Sequence, residues 1–307
     1  VAAHVSAYCR EVKKHHMSSD KTLRAILLMI VSMGAFSVAD TLVKVSTNSL
    51  SPAQVLFFLV GGGLVIFSVL ATLQGDKLAD SRAFSPVLLI RYIAEVAGMI
   101  GMVVALATVP ISSVGAITQA SPLLAAVGAV LFLNEKVGWR RWVSILIGFA
   151  GVVLIVQPGA ISFDFSVLWA ILALVALSVR DLTTRLVPAN MPSSSMATFT
   201  MAAALPFTVV WVLFNGESLF PVHTNLIVVV PMIVLGSVGY MLLIASIRMA
   251  EVSTVMPYRY SRVIFLLVIG VFIFDETPDA LMLTGAALII ASGTFIMWRE
   301  QIVNEAP

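Results

Sequence analysis

Ten apolar runs, each about twenty residues long and separated by short polar breaks, leave this chain few folds to choose from. They fall near 23–45, 52–73, 85–107, 112–133, 141–158, 166–186, 194–214, 225–247, 252–274 and 280–298. Crossing roughly 30 Å of hydrocarbon takes about 20 helical residues, and a spanning segment must satisfy its backbone polar groups internally. Charged residues make up 11% of the chain, where a soluble domain carries roughly 25%. The expectation is an all-α membrane protein of ten transmembrane helices embedded in a lipid bilayer, with no room for a soluble domain. Polar tails over 1–22 and 299–307 flank the spans.

The breaks carry turn chemistry, as in SLSP before the second span and NMPSSS before the seventh. Lys and Arg collect on one set of loops, among them Lys14, Lys77, Arg82, Lys136, Arg140 and Arg299, whereas the opposite loops have little beyond Lys44 at a helix end. That bias places both termini in the cytoplasm and agrees with an even number of spans. A net charge of +2 supports no nucleic-acid partner. His4, His15 and His16 lie in the tail without the spacing of a structural zinc site, so neither a metal nor a cofactor is expected. The single Cys9 excludes an internal disulfide.

Sliding the sequence on itself by 141 residues pairs SVADTLVK (37–44) with SVRDLTTR (178–185), so Asp40 meets Asp181 and Lys44 meets Arg185. The same offset pairs Gly98 with Gly239, Val114 with Val255, and LFLNE (131–135) with FIFDE (272–276). One register linking three separated regions marks an internal repeat, 23–158 and 166–298. Five spans per repeat is an odd number, so the second half enters the membrane from the opposite side. Inverted repeats of this kind recur in secondary transporters.

The fourth and fifth spans (AITQASPLLAAVGAVLFLNEKVGWRRWVSILIGFAGVVLIV) and the ninth and tenth (STVMPYRYSRVIFLLVIGVFIFDETPDALMLTGAALIIASGTFIM) share a plan. Each has small residues and a proline early, an acidic residue at the exit (Glu135, Glu276), then a glycine-rich helix. On these residues the chain resembles the drug/metabolite transporter superfamily, specifically its bacterial ten-helix EamA type, over about residues 23–298. The resemblance implies two inverted five-helix EamA repeats in the bacterial inner membrane and transport of a small-molecule substrate by a monomer or homodimer. It leaves the substrate open among amino acids, vitamins, nucleotide-like cofactors and drugs.

Ionisable side chains within spans cost a few kcal/mol at the bilayer centre, roughly, and so face a cavity or a partner. They are Asp40 and Lys44 in the first span, Arg91 and Glu95 in the third, Arg180, Asp181 and Arg185 in the sixth, and Arg259 and Arg262 in the ninth. Asp40 with Lys44, Arg91 with Glu95, and Asp181 with Arg185 stand at i, i+4, where opposite charges share a helix face. Mutual pairing and direct work on substrate or proton are both open for them. Asp40 and Asp181 sit deeper and at repeat-equivalent positions, which favours them as substrate contacts; Lys44, Arg91, Glu95 and Arg185 are the coupling or charge-pair candidates.

In MPYRYSR the two arginines have no acidic residue within helical reach except Glu251. Pro257 opens the turn before it, a guanidinium suits planar recognition of carboxylate or phosphate, and Tyr258 and Tyr260 add rings and hydroxyls. Neutralisation of Arg259 and Arg262 across helices by Asp40, Glu95 or Asp181 is the alternative. Gln119, which the offset pairs with Tyr260, and Tyr92 beside Arg91 complete the candidate substrate-binding set. Glu135 and Glu276 read as interfacial caps.

Six in-span cations against three anions point to an anionic or zwitterionic substrate, carried by alternating access between the halves. No GxxxxGK[ST] loop is present, so transport runs on a gradient, on exchange or downhill, with Asp40, Asp181 or Glu95 able to carry a coupling proton. The rival from another class is an intramembrane enzyme acting on a lipid phosphate. No HExxH or comparable spacing supports it, so no enzymatic activity and no catalytic residue are expected. Within the same family, an exporter of amino acids or drugs is the other alternative.

Overall fold

A computed structural model describes the chain apart from residues 1, 77–83, 134–138, 158–163, 185, 188–190, 223, 250–254, 306 and 307. Its helices are α1 (Ala2–Ser46), α2 (Pro52–Leu73), α3 (Pro86–Thr108), α4 (Ile111–Thr118), α5 (Ser121–Leu133) and α6 (Trp139–Val156), then α7 (Val167–Thr184), α8 (Ser193–Phe214), α9 (Leu226–Met249), a 3-10 turn (Met256–Tyr260), α10 (Ser261–Phe274) and α11 (Ala280–Glu305). Six of them, including the Lys21–Ser46 part of α1, are long and apolar enough to cross a bilayer unaided. The all-helical, twofold-repeated membrane architecture is as expected.

The polar breaks set the helix starts. Ser51 caps α2 in a reciprocal box with Gln54, with Pro52 in the first turn, and Ser85 caps α3 by accepting from the Leu88 N–H alone, ahead of Pro86. The fourth and ninth runs depart from the single helices expected. The fourth breaks at Gln119–Ala120 into α4 and α5, where Pro122 has no N–H to continue the ladder. Over its described part, the ninth begins as the 3-10 turn that holds Pro257.

The packing obeys the offset. α1 packs on α9 and α3 on α7, and exchanging the halves turns one pair into the other; α2 with α8, α4 with α10, and α6 with α11 map onto themselves and straddle the axis. Individual contacts repeat as well. A side chain at Gly98 would strike Leu177, and one at Gly239 would press on Phe36, the equivalent contact 141 positions away. α2 and α8 both end on a left-handed glycine, Gly75 (φ 72°) and Gly216 (φ 71°), whose turns return N–H groups to Ala71 and Thr72 in one half and to Val212 and Leu213 in the other. The next residue along, Asp76 or Glu217, accepts from Ser194 or Ser51 at the start of the opposing helix.

At the end of the bundle carrying the α1–α2 loop, a clasp joins the halves. Asp275 (φ 52°) turns the chain out of α10, and Glu276 then reaches α4, accepting from the N–H of Ile111 at 2.6 Å, the N–H of Ser112 at 3.1 Å and the Ser112 hydroxyl at 2.6 Å. These are orphan donors of a helix start, which a carboxylate suits by both hydrogen bonding and dipole. The interfacial role expected of Glu276 is therefore a cap across the halves; Glu135 lies outside the described residues. Nearby, Asp279 caps α11 through Met282 N–H at 2.6 Å and accepts from Gln157 at 3.0 Å. These two donors hold its carboxyl below the usual carboxylate range, so the cap is complete at neutral pH and is lost on acidification.

Replacing Glu276 by Ala leaves the α4 donors unsatisfied and is expected to cost about 1–3 kcal/mol, read as a lower melting temperature in detergent, with Gln intermediate. An Ala variant as stable as wild type would show that water satisfies the α4 start.

Candidate functional site

The first four spans of each half enclose one central cavity of about 270 Å³. Charged groups enter it from α1, α3, α7 and the ninth span. Arg91 and Glu95 stand one turn apart on α3 and meet at 3.5 Å. Arg180 on α7 links Glu95 at 3.0 Å to Asp181 at 2.8 Å, and the far oxygen of Asp181 lies 4.0 Å from Arg259. Arg262 donates Nε at 3.2 Å and Nη2 at 2.5 Å to one oxygen of Asp40. Each aspartate of the repeated SVxD motif thus faces one arginine of the ninth span, Asp181 facing Arg259 and Asp40 facing Arg262.

Two of the three i, i+4 pairings need comment. Arg91–Glu95 forms as expected. Asp40–Lys44 does not: α3 ends before Pro110, its last carbonyls have no helical donor, and Lys44 supplies one to Leu106 O at 3.2 Å and Val109 O at 2.7 Å, with its charge 5.4 Å from the Phe274 ring. Lys44 belongs to the scaffold at the clasp end, and Asp40 turns to Arg262 instead. Arg185 lies outside the described residues, as does Glu251. The expected surplus of three cations shrinks accordingly. Among the described residues the cluster holds four guanidiniums, Arg91, Arg180, Arg259 and Arg262, against Asp40, Glu95 and Asp181. With all ionised, one positive charge is left over.

The remaining candidates divide. Gln119, 5% exposed at the α4–α5 break, lines the cavity. The tyrosines expected beside the arginines do not. Tyr92 packs with Leu88 and Met191, Tyr258 is 40% exposed, and Tyr260 is buried against α11 at Gly293. In a 3-10 turn successive side chains fan out by about 120°, so neighbours of Arg259 point elsewhere. Sequence reasoning passed over Arg180 as a site residue and missed Thr200 and Tyr240 altogether. Arg91 donates to Thr200 at 2.7 Å and to Thr184 at 3.0 Å, and Tyr240 lies edge-on to Phe67 with ring centres 5.4 Å apart. The offset carries a signal for Tyr240, since it maps onto Met99 of the cavity-facing stripe of α3.

Removing either member of the Asp40–Arg262 pair strands a charge in a poorly solvated site. Asp40→Asn and Arg262→Met are each expected to cost up to about 3 kcal/mol, the low end for a buried pair because one side of the pair faces the cavity. The double variant is expected to recover much of the loss in thermal unfolding, and additive losses would show that the pair does not couple.

A family profile described as the EamA-like transporter family matches residues 23–157 and again 164–298. Similar full-length proteins include an S-adenosylmethionine uptake transporter of Rickettsia bellii, 27% identical over 90% of this chain and 92% of that protein. A riboflavin transporter of Vibrio cholerae is 24% identical over 92% and 94% of the two chains, and the pseudopaline exporter CntI of Pseudomonas aeruginosa 24% over 90% and 96%. A chain of known crystal structure shares the fold with a TM-score of 0.60 at 18% identity, covering 91% of this chain and 98% of that one. Two profile matches in tandem, meeting where the internal repeat divides the sequence, place this chain in the EamA-like transporter family, among the multi-pass drug/metabolite transporters.

Proposed function

We propose that the chain is a secondary transporter of a small anionic or zwitterionic metabolite, which binds in the central cavity and crosses by alternating access between the two halves. The observation that carries this reading is the charge of the cluster, in which, among the described residues, four guanidiniums are offset by three carboxylates at the interface of the repeats. A substrate carboxylate or phosphate completes the neutralisation with the planar geometry guanidinium favours. Arg262 and Arg259 are the substrate-facing cations, with Asp40, Asp181 and Gln119 as their neighbours in the site. On binding, the substrate competes with Asp40 for Arg262, and a proton taken up by the released carboxylate is one route to coupling.

The relatives named above are called an uptake transporter, a transporter and an exporter, which supports small-metabolite transport and leaves direction unassigned. The excess of Lys and Arg on one set of loops supports an orientation with both termini in the cytoplasm of a bacterial cell and the clasp of Glu276 and Lys44 facing the periplasm. In that orientation the halves close outward of the site through the clasp, and opening it exposes the cavity to the other side.

In proteoliposomes, flux of an organic anion or zwitterion is expected to exceed that of simple organic cations, and Arg262→Ala to lower it at least about tenfold, equivalent to about 1.4 kcal/mol. Preference for cations sinks the proposal, and flux indifferent to a collapsed proton gradient removes the coupling proton. In a Cys9→Ser background, a cysteine at exposed Asn48 is expected to react with an impermeant maleimide in intact cells. Labelling only after lysis reverses the orientation.

A further inference from the structure

Glycine inside a helix costs about 1 kcal/mol relative to alanine, so each one asks for a reason. Among the described residues most helical glycines have one in packing: a side chain at Gly101 would meet the backbone of Trp169, and one at Gly151 the backbone of Gly285. Gly236 on α9 differs. An added Cβ there would meet nothing within 4 Å, and the residue lines the cavity. The 141 offset pairs it with Glu95, so where the first half projects a carboxylate into the site, the second half leaves room.

Rings flank that room. Tyr240 follows Gly236 by one turn and stands edge-on to Phe67, with ring centres 5.4 Å apart. Phe36 lies against Gly239 on the same stretch of α9, and its ring is 5.4 Å from the Arg262 guanidinium. The thioethers of Met99 and Met102 close the α3 side, soft surfaces that suit aromatic faces and edges. An apolar, ring-lined floor therefore adjoins Arg262, one of the four guanidiniums set against three carboxylates among the described residues of the cluster.

We infer that the cavity takes a planar aromatic or heteroaromatic ring on the Gly236 floor, between Phe36 and the Phe67–Tyr240 pair, with an acidic substituent of that ring system reaching Arg262. This rests on the anionic reading above and deepens it. The substrate class is an aromatic carboxylate or a base-bearing phosphate, and Gly236 sets its size limit. Ring stacking adds to the pairing energy of the anion, and the ring's edges contact Phe36 and Tyr240 in the arrangements aromatic pairs prefer.

The test compares matched probes on the purified full-length protein by thermal shift: indole-3-acetate against acetate, and adenosine monophosphate against ribose 5-phosphate. The ring-bearing member of at least one pair is expected to bind about tenfold or more tightly than its ring-free partner. Gly236→Leu is expected to keep the unliganded melting temperature, lose that advantage, and still respond to the ring-free anion. Should Gly236→Leu fail to fold, Phe67→Leu serves instead, with the same loss of ring preference expected. Equal binding within both pairs, or a ring preference unchanged in the variant, overturns the ring floor and leaves the anionic reading standing. No response to any of the four anions at millimolar concentration overturns both.

Discussion

Among the described residues, seven charged side chains meet in a medium that neither hydrates nor screens them well, and the arrangement of the bundle around its centre follows from how they neutralise one another. An isolated ion at such a depth costs several kcal/mol, roughly, so each must find a partner of opposite sign close by. Arg180 does this twice, for Glu95 on another helix and for Asp181 beside it. Arg262 reaches Asp40 across the boundary between the halves. α1, α3, α7 and the ninth span are thereby tied to one point.

The twofold relation between the halves is obeyed by the scaffold and broken by the site. Helix ends at Gly75 and Gly216, close approaches at Gly98 and Gly239, and carboxylate-to-serine contacts at Asp76 and Glu217 all come in equivalent pairs. The cavity wall does not. Where the second half supplies Arg180, Arg259 and Arg262, the first has Ala39, Thr118 and Ser121. Packing geometry tolerates little change, because a protein interior is close-packed and a displaced methylene is felt. A cavity wall faces open space, so its residues are free to differ, and an asymmetric ligand needs them to.

Much of the site was legible because ionisable residues within apolar runs are rare and stand out. Asp40, Arg91, Glu95, Asp181, Arg259 and Arg262 all emerged that way. What misled was locality. The i, i+4 rule matched Asp40 with Lys44 because it sees one helix at a time, whereas the carbonyls at Leu106 and Val109 that claim Lys44 belong to a helix about sixty residues away. The tyrosines beside Arg259 lie away from the cavity lining for a related reason: neighbouring side chains diverge by about 100–120° around an α- or 3-10 helix, so adjacency to Arg259 does not bring Tyr258 and Tyr260 to its face. Apolar cavity residues such as Phe36 and Phe67 carry no signal at all, since lipid-facing, core and site positions are equally hydrophobic in a membrane protein.

The amino-acid order by itself determined the number and length of the spans, their caps, the offset of the repeat and the presence of buried charge, because these depend on hydrocarbon thickness and on residues near one another in the chain. Tertiary structure alone decided which charges pair, that Glu276 closes onto α4 across the halves, and that Gly236 opens onto a cavity. Those outcomes depend on distances between helices far apart in sequence, and an ion in a low-dielectric interior takes whichever partner packing brings within about 4 Å.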